Sequence, residues 1–116
     1  MEFNSDFKFD LTIGQIYEEK FAELLGKKIE VKRDFQYKET GNIFIEYECR
    51  GKRSGISTTQ AEYWCYWLSE EHCIFINTNK LKNICRKYLG TKRDIQGGDN
   101  NLSKGILLPI DDLLKN

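Results

Sequence analysis

Asp34, Glu46 and Glu48 are the residues of this chain whose types and spacing best suit them to chemistry. Two runs of alternating apolar and polar residues, 28–35 and 42–48, carry them. Read as the two strands of a hairpin, alternation sends Ile29, Val31, Ile43, Ile45 and Tyr47 to one face and the three carboxylates to the other. Carboxylates on one sheet face repel one another and raise each other's pKa unless a cation sits between them. A divalent metal is the usual reason to gather them. Lys32 lies on the Asp34 face of the first run and Lys52 follows just after Glu48. Either could orient a water or steady a phosphate, and a solvated surface lysine is the plain alternative for both.

The elements that must position these residues follow from periodicity. Residues 1–11 read as a flexible lead-in. From 12 to 25 the positions Ile13, Ile16, Tyr17, Phe21, Leu24 and Leu25 keep a helical period, with Thr12 as a cap and Gly26 as the stop. The polar stretch 36–42 joins the two strands, with turn chemistry at Gly41-Asn42. A basic, glycine-flanked segment, 50–55, leads to Ser57-Thr58-Thr59-Gln60. Ser57 and Gln60 stand at capping-box spacing, so a helix is expected there, carrying Ala61, Tyr63, Trp64, Cys65, Trp67 and Leu68. A short strand over 72–77, a helix over 79–89 closed by Gly90, a polar loop over 91–104 and a strand over 105–110 complete the order. The fold class is α/β (α+β), a central mixed sheet flanked by helices.

Composition sets the class of partner less sharply. At 116 residues the chain is one domain, 1–116, and 40% apolar with 13% aromatic residues argues for a folded globule. Eighteen basic residues balance eighteen acidic ones, so any polyanion-binding surface must come from local clusters such as Lys32-Arg33 and Arg50-Gly51-Lys52-Arg53. No apolar run is long enough to span a bilayer, so no membrane partner is expected. Four cysteines without a C-x-x-C pair and a single histidine, His72, argue against zinc. Reduced thiols in a cytoplasmic compartment are the default, and Cys65 and Cys85 read as core residues. Gly97-Gly98 lacks the G-K-[ST] of a P-loop.

Helix, strand ending in Asp34, hairpin, strand bearing Glu46-Tyr47-Glu48, then helix resembles the PD-(D/E)XK nuclease superfamily. It looks most like its small Holliday-junction-resolvase-like and phage-type endonucleases, over residues 14–76. The resemblance implies a restriction-endonuclease-like core (αββ[β]αβ) and an enzyme of bacterial or phage-infected cells. That enzyme would hydrolyse DNA phosphodiester bonds, in branched or double-stranded DNA. Its cofactor would be Mg2+, with Mn2+ as substitute and no organic cofactor; cutting two strands would commonly call for a homodimer. Gly14-Gln15-Ile16-Tyr17-Glu18 resembles the helix motif, making Glu18 a metal ligand beside Asp34 and Glu46. Glu48 stands where an E-x-K lysine usually does, as a further ligand or base. Gln60 matches a glutamine that helps order such sites. Lys32, Arg50 and Arg53, with Ser57, Thr58 and Thr59 at the expected helix N-terminus, would contact DNA; a plain helix cap is the alternative for the hydroxyl residues. The departure at Glu48 keeps a second hypothesis open, a catalytically inactive nuclease-fold module binding nucleic acid or protein. A third is a small metal-binding protein of another fold.

Overall fold

The computed structural model describes residues 3–115, the side chains of 3–7 excepted. The chain is α+β: a mixed three-stranded sheet and an antiparallel four-stranded sheet, flanked by helices. α1 (Phe3–Leu25) opens it. β1 (Ile29–Arg33), a short α2 (Tyr37–Thr40), β2 (Asn42–Cys49) and β3 (Lys52–Arg53) follow. After them come β4 (Tyr63–Trp67), β5 (Cys73–Asn77), α3 (Thr78–Arg86), β6 (Asp94–Gly97), β7 (Ser103–Pro109) and α4 (Ile110–Leu113).

The expected hairpin between the first two strands does not form. β1 pairs in parallel with β4, Ile29 opposite Tyr63 through Arg33 opposite Trp67. β2 pairs antiparallel with β7 and, at its end, with β3. The sheet orders are β1-β4-β5 and β3-β2-β7-β6. What replaces the loop of the hairpin is α2, stopped by Gly41 in the left-handed region at φ +72. The tight hairpin lies further on: Arg50 and Gly51, both at positive φ (52 and 78), turn β2 into β3, the two-residue geometry that matches strand twist.

The helix expected from Ser57 is also absent. Residues 55–57 make one 3-10 turn and 63–67 are a strand. The run Tyr-Trp-Cys-Tyr-Trp is β-favouring, and Trp64, Cys65 and Tyr66 are all buried, so both faces of this central strand are covered. A strand covered on both faces loses its alternation and becomes hard to tell from a buried helix by period alone. β6 was likewise hidden in the polar stretch expected to be a loop; it pairs with β7.

α1 begins upstream of the expected start, so the lead-in is helical from Phe3; its residues 1–2 lie outside the described residues. Phe9 is in phase with Ile13 and Ile16, and Thr12 bonds the Lys8 carbonyl inside the helix (3.0 Å) rather than capping it. Near its C-terminal end α1 meets the three-stranded sheet, Phe21 packing edge-on against Phe75 (5.6 Å). Phe9, Ile16 and Tyr17 remain exposed. The core lies between the sheets and under α3 and α4. Ile43, Ile45, Trp64, Leu81, Ile106 and Leu108 are almost wholly buried, each aliphatic contributing about 1.5–3 kcal/mol by leaving water. No helix among the described residues is long and apolar enough to cross a membrane.

Candidate functional site

The even-numbered residues of β1 and β4 share one face, which turns toward β2. Glu30 stands opposite Trp64 and Lys32 opposite Tyr66 in the parallel ladder. The Lys32 ammonium lies 5.9 Å from the Trp64 ring centre, and Trp64 stacks on Tyr66 at 6.0 Å. Tyr66 reaches across the gap and donates to the Phe44 carbonyl (3.3 Å). Asp34 closes the same edge: one carboxylate oxygen accepts from the Phe44 amide (3.0 Å), the other from the Gln36 amide (2.9 Å). Asp34 and Tyr66 thus satisfy the peptide groups that β2 leaves unpaired at Phe44, and so tie the two sheets together. Burial raises the Tyr66 phenol far above the ordinary tyrosine value, and the charges of Cys85, Asp34, Glu30 and Glu46 raise it further.

Two residues along β2, Glu46 is held from both sides. Ser54 donates to one oxygen (2.9 Å) and Ser103, itself buried, to the other (2.5 Å). Each carboxylate oxygen has two lone pairs, so each keeps one free. Gly55 makes this grip possible, because at φ +53 it passes so close that a Cβ would lie 2.2 Å from the Glu46 carbonyl oxygen.

A cleft of about 460 Å³ opens beside Glu46. It is lined by Glu30, Lys32, Glu46, Thr58, Thr59 and Gln60, among others. Of the residues expected from sequence to form a site, Lys32, Glu46, Thr58, Thr59 and Gln60 are therefore brought together. Gln60 and the two threonines arrive on an extended loop, not on a helix, so no helix dipole points into the cleft. Glu30 was missed, although the alternation that joined Lys32 to Asp34 includes it.

The other expected site residues stand elsewhere. Glu18 is exposed on α1 and, among the described residues, has no hydrogen-bond or ion-pair partner. The β2–β7 register shifts between Glu46 and Glu48. Such a bulge re-aims the strand beyond it, and Glu48 pairs with Lys104 (3.7 Å) outside the cleft. Lys52 and Arg50 sit exposed at the β2–β3 turn. Arg53 donates to the Ser57 carbonyl (3.0 Å). The Ser57 hydroxyl bonds the Tyr47 carbonyl (2.6 Å) and fastens the loop rather than facing a ligand. His72 is bonded to Ser69 (2.7 Å) in the β4–β5 turn, a structural role.

No group of three or more His, Cys, Asp or Glu among the described residues is disposed to hold a metal ion. Glu30 and Glu46 share the cleft with two lysines, Lys28 and Lys32, and three polar side chains. A hard ion such as Mg2+ keeps several waters and takes one or two carboxylates together with substrate phosphate. No family model, curated protein or solved structure matches the chain.

Proposed function

We propose that the protein is a metal-dependent endonuclease acting on DNA. The observation that carries this reading is the convergence of Glu46, Glu30, Lys32 and Gln60 on one cleft. Glu46 and Glu30 would hold Mg2+ or Mn2+, which when bound supplies Lewis acidity to a phosphate and lowers the pKa of a water. Lys32 replaces the E-x-K lysine missing at Glu48. Its ammonium, held by the Trp64 face, would orient water or offset charge on the phosphate. Thr58, Thr59 and Gln60 offer donors and acceptors to the phosphate and its sugar. Asp34 acts by fixing β2 against β1, which sets where Glu46 stands. Glu18 and Glu48 do not line the cleft and would have no part in the chemistry. A two-fold dimer would bring two such clefts to the two strands of a duplex.

Glu46→Gln is the test. The amide keeps an oxygen for one serine and can donate to the hydroxyl oxygen of the other, so the fold is kept while the charge is lost. Wild type should nick plasmid or four-way-junction DNA with Mg2+ or Mn2+ and the variant should not. A wild type that cuts neither substrate with either metal refutes the enzyme. The inactive nucleic-acid- or protein-binding module then becomes the better reading, favoured already by Asp34, which bonds backbone amides and does not line the cleft.

A further inference from the structure

The zero net charge of the chain hides a segregation. From His72 to Arg93 the sequence carries Lys80, Lys82, Arg86, Lys87, Lys92 and Arg93 and no Asp or Glu. α3 and its end hold the first four of these, and its apolar side, Leu81, Ile84 and Cys85, is buried in the core. At 3.6 residues per turn the cations border that apolar side, Lys82 and Arg86 on one flank and Lys80 and Lys87 on the other. The ion pairs among the described residues are Lys27–Glu62, Lys104–Glu48 and Lys115–Asp112; none involves this segment. Asp112 lies near enough to Lys87 for that lysine to help lower its pKa, whereas Lys80, Lys82 and Arg86 have no ion-pair partner among the described residues; an anionic partner relieves the repulsion of such like charges.

The position of the face identifies the partner. One hollow of about 250 Å³ between α3 and the four-stranded sheet is lined by Arg53, Lys82 and Arg86 over Ile56, Leu89 and Ile106, with no carboxylate among its lining residues. A neighbouring hollow shares Lys82 with it and shares Thr59, Gln60 and Ala61 with the Glu46 cleft. The surface from Lys32 and Glu46, across Thr59 and Gln60, to Lys82, Arg86 and Arg53 is thus continuous. Several cations on one continuous surface match an anion that repeats its charge, as a phosphate backbone does, better than a single phosphate.

We propose that α3 and Arg53 form a track for the phosphate backbone of a nucleic-acid strand whose scissile phosphate lies in the Glu46 cleft. This rests on the nuclease reading and extends it to Lys82 and Arg86. Lys82→Gln/Arg86→Gln changes two side chains outside the cleft chemistry. Binding of fluorescein-labelled single-stranded and duplex oligonucleotides is followed against salt, with EDTA present so that nothing is cut. The slope of log K against log salt should fall by about 1.8 on duplex or about 1.4 on a single strand, two contacts at about 0.9 or 0.7 each. Lys8→Gln/Lys20→Gln on α1 should leave the slope unchanged. An unchanged slope in the α3 variant overturns the track even if wild type cuts DNA. A reduced slope in a protein that cuts nothing supports the track and refutes only the catalysis. A wild type that ignores both oligonucleotides, or binds phosphatidylserine vesicles instead, overturns it as well.

Discussion

Gly55 and Gly51 offer a matched pair that isolates the grip on Glu46. Both lie in the left-handed region, at φ +53 and +78. An alanine at either position meets the left-handed penalty of about 1 kcal/mol. At Gly51 the added methyl meets nothing within 4 Å, whereas at Gly55 it would meet the Glu46 carbonyl oxygen at 2.2 Å and the carbonyl carbon at 2.9 Å. Both contacts are to backbone, so rotamer changes cannot relieve them. Either the core strand is overpacked, at about 1–3 kcal/mol, or the loop retreats. A retreat breaks the Ser54 bond to the Glu46 carboxylate, worth about 1.5–3 kcal/mol. Gly55→Ala should therefore be about 1–3 kcal/mol less stable than Gly51→Ala. With a urea slope of roughly 1–1.5 kcal/mol per M, its midpoint should lie about 1.5 M lower. The loop that carries Thr58 to Gln60 would move with it, so metal-dependent cleavage should fall too. Equilibrium unfolding by circular dichroism reads the stability. A gap smaller than about 0.5 kcal/mol, the scale of ordinary non-additivity, refutes the close approach and with it the account of how Glu46 is held.

Other outcomes follow from single contacts. Asp34→Asn can accept only one of the two amides that Asp34 accepts, leaving the other facing a donor; a loss of about 1–3 kcal/mol in urea melts is expected, and an unchanged melt would mean the sheets are joined otherwise. The Tyr47 phenol is raised to about 12 by its bond to Asp94 and by burial. Its contribution is complete below the unfolded value of 10.0 and is lost as pH climbs toward the folded one, so stability should decline over that window and the decline should flatten in Tyr47→Phe. Burial raises the Cys65 and Cys85 thiols to about 11 and 12, Cys73 adding to the effect at Cys65. In native protein at neutral pH, a thiol reagent should therefore label the half-exposed Cys49 and Cys73 first, and mass spectrometry would show any other order.

Where the sequence could be read correctly, the signal was local. The stop of α1 at Gly26, β5, α3 and the strand ending at Pro109 each follow from a run of residues and its punctuation. Cys65 and Cys85 were read as core from their apolar neighbours, and both are buried. The failures share a cause. The hairpin of the first two strands was inferred because they are adjacent in sequence, yet each found its partner far along the chain, β1 in β4 and β2 in β7. The stretch 57–70 kept a pattern compatible with a helix because its strand is buried on both faces, and β6 was masked by a polar edge.

The candidate site divides in the same way. Strand alternation alone supplied Lys32 and Glu46, because it is a property of a few consecutive residues; Gln60 came from the nuclease resemblance, on a helix that does not form. Residue order also held the charge segregation of 72–93, which needs no structure to count. Only the tertiary structure decided which acids meet. Side-chain period is set by one strand, but a bulge at Tyr47 diverts Glu48, and the parallel β1–β4 pairing brings Glu30 to the cleft instead. Register and bulges are settled by what packs across the gap, and that information is spread over β2, β4 and β7 rather than written at any one position.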